Sequence, residues 1–537
     1  MTTTELRRST RGGAIALLGA AVNGAFGFVL TTVILRTFTP AGSGALFSVI
    51  GLVTIAGAVC CAGADTALIW ALPRRPGETG RLLRVALLPT VALSLVVCLV
   101  GVACAAPIAR ALLDEESSAG LIRLAFVGVP VVVISTVLLA AVRATRPVGT
   151  YVAVQLVFVP IARPALMIGA VVAGGGVLLG LAGWLLPLAV AALLAPALIK
   201  QPTPANPSNK PSPENGMGPG SGSAAGSGSG PGSDSGSENA AGPENGSPLT
   251  IGFSTPSEGP GVGSNTAFWS FALPRAVSVA IDASSMWVGV LLTGALATQA
   301  EAGVFAAAGR YALAGLLIMQ GLRVAVAPQL SRLLGAGRRA EAAQVYRRMT
   351  LYIVLLSWPA YLLLAVFAPA FLAVFGARFG GGAAPLAVLA LAMLVNVGVG
   401  LVQTVLLMSG NSRDHLRATA AGLALNVVAA VLLIPGHGAL GAAVAWSLGI
   451  VAENVLAALF ARRALGESLF SAVLWRALAA VGAATGLVSL LGVLAAGRGP
   501  AGLAIALGVL LAGLLGSLVD RRVREALRRG VLTKAAS

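Results

Sequence analysis

Long apolar runs separated by short polar segments dominate the chain and set its predicted architecture. A helix of about 20 apolar residues crosses a bilayer, and a scan for such stretches gives fourteen predicted spans. The spans are 13–35, 45–71, 83–106, 121–142, 149–173, 176–199, 268–297, 303–327, 350–373, 383–409, 416–434, 438–461, 470–496 and 501–519. The pattern therefore predicts an all-α, polytopic membrane protein with about fourteen transmembrane helices.

The composition changes abruptly in the middle of the chain, where Gly, Ser, Pro and Asn replace the apolar residues. Such a stretch cannot bury a core, so it is predicted to be a disordered cytoplasmic linker, with a docking role as the alternative to a plain tether. The predicted domains are an N-terminal six-helix bundle (1–200), the linker (201–266), a C-terminal six-helix bundle (267–464), two additional helices (465–520) and a basic cytoplasmic tail (521–537).

A weak internal repeat relates the two predicted bundles. The segment from Thr39 to Gly44 matches the segment from Thr298 to Gly303 at an offset of 259 residues. Ala106-Pro107 likewise matches Ala368-Pro369 at an offset of 262 residues. Because the offsets are similar and the positions within each half are equivalent, the pattern favours a six-plus-six parallel repeat with two spans added at the end.

The distribution of basic residues predicts how the chain is oriented in the membrane. Only 10% of the residues are charged and 57% are hydrophobic, yet the net charge is +17. Counted over alternate loops, 27 of the 36 Lys and Arg residues fall on one side of the membrane and five on the other. The positive-inside rule therefore places both termini in the cytoplasm of a bacterial cell, with the protein in the cytoplasmic membrane. Since the basic residues sit between apolar runs, no nucleic-acid partner is expected.

Charged residues inside the predicted spans are the candidate functional residues. An ionised side chain at membrane depth costs about 3 kcal/mol on insertion scales, so it is expected to face a cavity, a partner or a substrate. We predict that Arg275, Arg310 and Arg163 bind a diphosphate, because a guanidinium pairs bidentately with phosphate oxygens. The alternative for Arg275 is an intramolecular pair with Asp282, seven residues later on the same helix face. The alternative for Arg163 is a structural or snorkelling arginine.

The acids inside the spans are predicted to couple transport to an ion. Asp65, Asp282 and Glu453 could each titrate or hold a sodium ion, and the alternative is a carboxylate satisfied by an arginine or by backbone donors. No catalytic residue, metal site or cofactor is predicted. The four cysteines lie in or at the ends of apolar segments, and His415 and His437 fall in different loops.

Several motifs resemble the polysaccharide flippases of the MOP (multidrug/oligosaccharidyl-lipid/polysaccharide) superfamily. These motifs are Arg36 to Gly44, Ala302 to Tyr311, Pro328 to Ser331, Phe375 to Phe379, Leu425-Asn426 and Pro435 to Ala443. The resemblance implies two six-helix bundles that form a V around a central cavity and alternate between inward and outward access. It also implies transport of an undecaprenyl-diphosphate-linked oligosaccharide to the outer leaflet. The implied partners are that lipid-linked glycan, membrane lipids and enzymes of polysaccharide biosynthesis. The first span departs from related lipid II flippases, because Asn23 is its interior polar residue and no arginine lies there.

Two other functions stay open. A cation-coupled multidrug or small-molecule antiporter of the same superfamily would present acids in its cavity, whereas arginines balance or outnumber acids in these spans. A polytopic glycosyltransferase or polymer ligase would need a large outer loop with catalytic groups. The longest predicted outer loop, about 107–120, contains Asp114, Glu115 and Glu116 but no histidine. The chain is therefore predicted to be a transporter and not an enzyme.

The charge asymmetry predicts where the linker and the C-terminus lie. Reporter fusions placed at Gly230 and after Ser537 are expected to behave as cytoplasmic, because 27 basic residues accompany these segments on one side. A cysteine introduced at Gly230 tests the same point in intact cells. Its labelling by a membrane-impermeant maleimide would contradict the predicted topology.

Overall fold

The computed structural model describes residues 3–113, 118–199 and 265–519, and within these ranges the chain is almost entirely helical with no strand. Residues 201–264 of the predicted linker and the whole predicted basic tail lie outside the described residues, whereas residues 265–266 of the predicted linker begin a helix. The first half contains α1 (Thr3–Thr37), α2 (Pro40–Cys61), α3 (Ala64–Ala71), α4 (Thr79–Ala103), α5 (Ala105–Leu113), α6 (Ala119–Thr145), α7 (Val148–Tyr151), α8 (Val159–Val172) and α9 (Val177–Leu198).

The second half follows the same plan and adds two helices at its end. It contains α10 (Asn265–Leu296), α11 (Gln299–Ala314), α12 (Leu316–Gly335), α13 (Arg339–Val366), α14 (Ala368–Leu372), α15 (Ala383–Val399), α16 (Val402–Met408), α17 (Ser412–Leu465), α18 (Ala472–Ala496) and α19 (Pro500–Val519). The short helices α5 and α14 contain the repeated Ala-Pro dipeptides, so the sequence repeat corresponds to equivalent elements of the two halves.

The number of spans differs from the predicted fourteen for structural reasons. The described residues contain ten helices that are long and apolar enough to cross a membrane, or eleven when the bent helix α10 is included. The 54-residue α17 is counted as one membrane-spanning helix, although a kink at Gly438 divides it into two segments. The predicted span 303–327 is split between α11 and α12, and the apolar helix Pro500–Gly516 is shorter than a full span. The all-α, polytopic fold class is confirmed, whereas the exact count is not.

Breaks within the predicted spans occur where glycines allow close contacts or left-handed backbone. Gly63 has a φ of 73° and follows the end of α2, so the predicted span 45–71 becomes two helices. Gly315 separates α11 from α12 and lies against the ring of Tyr361. The Tyr361 hydroxyl donates a hydrogen bond of 2.8 Å to the carbonyl oxygen of Ala312, which the break leaves near the end of its helix.

The two halves meet where α2 crosses α11. Thr39 and Thr298 cap these helices, each accepting a hydrogen bond from the backbone three residues later. A Cβ on Gly44 would collide with the carbonyl oxygen of Gln299, and a Cβ on Gly303 would collide with that of Pro40. The repeated segments therefore pack directly against each other, backbone to backbone.

This end of the helices, where Arg36, Gly44, Gln299 and Val374 meet, is called the closed edge below. Three hydrogen bonds join the halves here. Arg36 Nε donates to the Val374 carbonyl at 2.7 Å, and the Gln299 amide donates to the Leu112 carbonyl. Ser48 Oγ donates to Gln299 Oε1 at 3.3 Å. These bonds tie both halves together on one side of the predicted membrane.

An aromatic cluster lies against the closed edge. The Tyr311 ring contacts Phe28 of the first half at 5.3 Å between centroids and Phe375 of the second half at 5.0 Å. Its hydroxyl donates a 2.6 Å hydrogen bond to the carbonyl oxygen of Phe371. Because aromatic pairs of this geometry are favourable beyond the area that they bury, the cluster strengthens the closure.

The close contact of α2 and α11 at Gly44 and Gly303 predicts that one added methyl group at either position lowers the stability of the protein. Gly44→Ala and Gly303→Ala are each expected to destabilise the protein by about 1–3 kcal/mol, because the added Cβ meets backbone that cannot rotate away. The measurement is the melting temperature of the purified protein in detergent.

The matched control for this prediction is Gly309→Ala on the same helix, where a Cβ meets nothing within 4 Å. That variant is expected to melt at the wild-type temperature or above it, because alanine favours helix over glycine. Wild-type melting of both Gly44→Ala and Gly303→Ala would show that the halves do not depend on this close approach.

Candidate functional site

A cavity of about 280 Å³ lies within the second half, midway along its helices. Its wall is mostly apolar, with a few polar and aromatic side chains that converge on one space. The lining residues are Ser285, Trp287, Val290, Phe305, Ala306, Gly309, Arg310, Leu313, Leu316, Leu389, Gly422, Leu423, Asn426, Trp446, Gly449, Ile450 and Glu453. An apolar pocket with a few polar groups is the usual form of a small-molecule site. The lining comes from one half, whereas the resemblance implied a central cavity between the two halves.

Arg310 is the cation of this cavity. It lies eleven residues into α11, which places it about 16 Å along the helix from the closed edge. Its guanidinium lies 5.4 Å from the ring of Phe47 in the first half and 5.4 Å from the ring of Trp287 in the second. Within the described part of the chain, no carboxylate pairs with this guanidinium and no oxygen accepts a hydrogen bond from it. Five N–H donors are thus presented to an apolar, mid-span space.

Glu453 is the anion of the cavity, and it is held in place. Its Oε1 accepts a 2.7 Å hydrogen bond from the Gln403 amide and a 3.1 Å hydrogen bond from the Thr419 hydroxyl. Three helical segments therefore fix this carboxylate: the start of α16 and the two parts of α17. A carboxylate bonded in this way keeps one orientation in the cavity wall.

Asn426 supplies an unsatisfied acceptor. The residue is only 3% exposed, and its Oδ1 is buried with no hydrogen-bond partner among the described residues. Buried polar atoms are nearly always paired, so this amide oxygen is an exception among the described residues.

The course of α17 brings Asn426 and Glu453 to the same cavity, although 27 positions separate them in the sequence. At Gly438 the backbone has φ 52° and ψ −129°, and the helix turns back on itself. Glu301 Oε2 accepts a 2.8 Å hydrogen bond from the Ala439 N–H that this turn frees. The two segments then cross at Gly422 and Gly449, where added Cβ atoms would lie 2.8 and 2.7 Å from the opposite carbonyl oxygens.

Arg163 lies in the first half, outside the lining of the cavity that contains Arg310. Its guanidinium stacks on the Trp184 ring at 4.2 Å, and its Nε donates a 3.3 Å hydrogen bond to the Trp184 carbonyl. Both residues belong to the first half, in α8 and α9. Arg163 is not among the residues that line the cavity of Arg310. In this conformation the structure does not bring the two arginines together.

The remaining predicted residues divide into two groups. Arg275 and Asp282 lie on α10, but their side chains are outside the described residues, so their predicted roles stay predictions. Asp65 lies on α3, with its Oδ1 buried and without a hydrogen-bond partner in the described ranges, and it does not line the cavity. Of the two predicted coupling acids whose side chains are described, Glu453 is the one that lines the cavity with Arg310.

Sequence reasoning missed Asn426 and Trp446 as cavity residues, and Gln403 as the donor that holds Glu453. Each is a polar or aromatic residue in or beside an apolar span, and Asn426 was noted only as part of a family motif. In the part of the chain that the structure describes, no group of three or more His, Cys, Asp or Glu residues could hold a metal ion.

No protein-family model matches the chain, but comparison with known proteins found one similar curated protein and several similar solved structures. A segment of 178 residues is 26% identical to the probable low-salt glycan biosynthesis flippase Agl15 of Haloferax volcanii. This match covers 32% of the chain and 36% of the relative, so it spans about a third of that protein's length.

Solved structures match over nearly the whole chain. The lipid II flippase MurJ in an inward closed conformation superposes with a TM-score of 0.64 at 9% identity, covering 94% of this chain and 99% of the other. An inward-facing multidrug resistance MATE family transporter of the MOP superfamily gives 0.62 at 15% identity, covering 82% and 94%. A MOP superfamily transporter from Pyrococcus furiosus gives 0.56 at 14% identity, covering 86% and 96%. The resemblance noted in the sequence is thereby confirmed, and the chain is a polytopic membrane protein with the fold of the MOP superfamily transporters.

Proposed function

We propose that this protein is a flippase that moves an undecaprenyl-diphosphate-linked oligosaccharide, or a related polysaccharide precursor, from the cytoplasmic to the outer leaflet. The observation that carries the proposal is the guanidinium of Arg310, which lines a mid-span cavity and has no carboxylate partner among the described residues. The partial match to a glycan biosynthesis flippase and the fold shared with a lipid II flippase support the same class of substrate.

The energetic argument concerns the cost of leaving this cation without an anion. A charged side chain at membrane depth costs about 3 kcal/mol on insertion scales, and aromatic rings offset part of that cost. A diphosphate would supply oxygens in the planar arrangement that a guanidinium binds bidentately. Arg310 therefore acts as the anchor for the diphosphate, and Arg275 is proposed to assist it from α10. Arg163 joins the site in a conformation in which it leaves Trp184.

The side from which the substrate enters follows from which edge of the two halves is closed. The closed edge is held by Arg36, Gln299 and the aromatic cluster, so the substrate enters from the opposite edge. By the positive-inside rule that entrance faces the cytoplasm of a bacterial cell. Release to the outer leaflet then requires the closed edge to open, which completes alternating access.

The runner-up is a cation-coupled multidrug or small-molecule antiporter, and Glu453 is the observation that favours it. A cationic drug would need an acid in the cavity, and Glu453 lies in the wall. Arg310 in the same wall opposes a cationic substrate, because like charges repel at short range. We therefore assign Glu453 to ion coupling, through a proton or a sodium ion, and Arg310 to the substrate.

Arg310→Ala is expected to lower the affinity for undecaprenyl diphosphate at least tenfold. Charge-assisted hydrogen bonds contribute about 1.5–3 kcal/mol, and about 1.4 kcal/mol corresponds to a factor of ten. Arg310→Lys should recover only part of the affinity, because the bidentate fork is lost. Binding is measured by titrating the purified protein in nanodiscs with the lipid.

Arg163→Ala is the comparison variant, since its guanidinium is also deep in the fold but stacks on Trp184. A smaller loss than that of Arg310→Ala is expected in the conformation described. Wild-type affinity in both Arg310→Ala and Arg310→Lys would contradict the proposed diphosphate site.

Glu453→Gln is expected to uncouple transport from the ion gradient. Glutamine keeps an oxygen to accept from Gln403 and Thr419 but cannot ionise, so the cavity wall should stay intact. Proteoliposomes carrying a fluorescent undecaprenyl-diphosphate-linked sugar are assayed with and without proton or sodium gradients. Asp65→Asn is run in parallel, because Asp65 is an acid with a buried Oδ1 that does not line the cavity. Gradient-dependent transport that persists in Glu453→Gln would remove this residue from the coupling mechanism.

A further inference from the structure

Two of the hydrogen bonds at the closed edge are related by the internal repeat. Arg36 of the first half donates from Nε to the carbonyl oxygen of Val374 in the second half, at 2.7 Å. Gln299 of the second half donates from its amide to the carbonyl oxygen of Leu112 in the first half. The two acceptors are 262 residues apart, which is the offset that relates the two Ala-Pro dipeptides. The halves therefore exchange one bond each, and these two are called the gate bonds below.

Both acceptors lie at the ends of short helices. Leu112 is in the last turn of α5, and Val374 is two residues beyond the end of α14. Carbonyl groups at the end of a helix have no N–H partner within that helix, so they need a donor from outside. Each half presents such a carbonyl group at the closed edge, and the other half supplies the donor.

The two donors differ, and the sequence explains why. The repeat aligns Gln299 with Pro40 at an offset of 259 residues, and a proline side chain has no hydrogen-bond donor. Arg36 precedes Pro40 by four residues, in the last turn of α1, and it donates instead. The same kind of contact is thus made in both directions, although the repeat provides a donor at this position in only one half.

The backbone contact at the closed edge is reciprocal as well. A Cβ on Gly44 would meet the Gln299 carbonyl oxygen, and a Cβ on the equivalent Gly303 would meet the Pro40 carbonyl oxygen. In a two-fold contact, each surface meets the equivalent surface of its partner. When two rigid bodies rotate apart about such a contact, its equivalent bonds break in the same movement.

We propose that the two gate bonds form a paired outer gate, which holds the closed edge shut and is released in one step when this edge opens. The proposal rests on the proposed function only in requiring this edge to open during transport, and it applies whatever the substrate. Each bond is individually weak, because Arg36 is exposed and water competes for its guanidinium. Weak bonds allow the gate to open repeatedly, and their simultaneous release makes opening an all-or-none step.

The experiment measures how often the closed edge opens in the full-length protein in intact cells. Ser48→Cys provides the reporter, since Ser48 is fully buried at the contact between the halves and its hydroxyl donates to Gln299. It is introduced into a chain whose four native cysteines are replaced by alanine and whose melting temperature matches the wild type. The quantity measured is the rate at which an impermeant methanethiosulfonate reagent, added outside the cells, modifies the reporter thiol.

Arg36→Gln is the decisive variant, because Arg36 donates to Val374 whereas the reporter position contacts Gln299. It is expected to raise the modification rate about threefold, the effect of losing one weak hydrogen bond from the closed state. Gln299→Ala should also raise the rate about threefold. The double variant should raise it about ninefold, since two bonds that break in one step have multiplicative effects on the open population.

Arg498→Gln is the matched control. Arg498 is exposed like Arg36, and its Nε also donates to a carbonyl oxygen at 2.7 Å, but the acceptor is Val366 of the same half. The loss of this bond should leave the modification rate of the reporter unchanged.

Three results would overturn the paired gate. The first is a wild-type rate, or no modification at all, in both Arg36→Gln and the double variant. The second is an equal increase in Arg498→Gln, which would indicate general loosening of the protein. The third is a double variant no faster than the faster single variant, which would contradict release in one step. Because no substrate is added, these results are independent of whether Arg310 binds a diphosphate.

Discussion

A guanidinium held between apolar helices, with two aromatic rings beside it and no carboxylate paired with it among the described residues, is the constraint on which the site depends. Arg310 occupies this position because α11 is fixed at both ends. Its first turn packs backbone to backbone on α2 through Gly44 and Gly303, and its last turn is bonded to α13 through Tyr361. These contacts fix the position of α11, so its arginine stays at the cavity and away from the lipid headgroups.

The kink at Gly438 organises the opposite wall. Because α17 turns back there, one long apolar stretch contributes two antiparallel segments, and their glycine crossing sets Asn426 and Glu453 around one space. The Glu301 carboxylate that caps the second segment belongs to the same turn of α11 that touches α2. The contact between the halves and the shape of the cavity are therefore linked through Gln299, Glu301 and Gly303, which lie together at the start of α11.

Hydropathy was enough to predict the all-α, polytopic class, because a spanning helix needs about 20 apolar residues whatever it packs against. It did not predict that the spans 45–71 and 303–327 are each divided into two helices. The weak repeat was also informative. Each copy begins with a threonine that caps a helix, and the two capped helices meet at the closed edge. The site was less predictable. A single sequence does not tell which faces of helices meet, so the stacking of Arg163 on Trp184, 21 positions later, was not expected. Asn426 carries no charge, and only the three-dimensional packing of α17 shows that it lies in the cavity wall.

Arg310 and Tyr311 are consecutive on a rigid helix, and each serves a different part of the molecule. The first faces the cavity, and the second closes the aromatic cluster between Phe28 and Phe375. Successive residues of a helix differ by about 100° in direction and 1.5 Å in height, so neither side chain can be displaced by a turn of the helix without the other. A movement of α11 that displaces Arg310 from the cavity therefore also displaces Tyr311 from the aromatic cluster. The cavity and the closure of the two halves are coupled through this one helix.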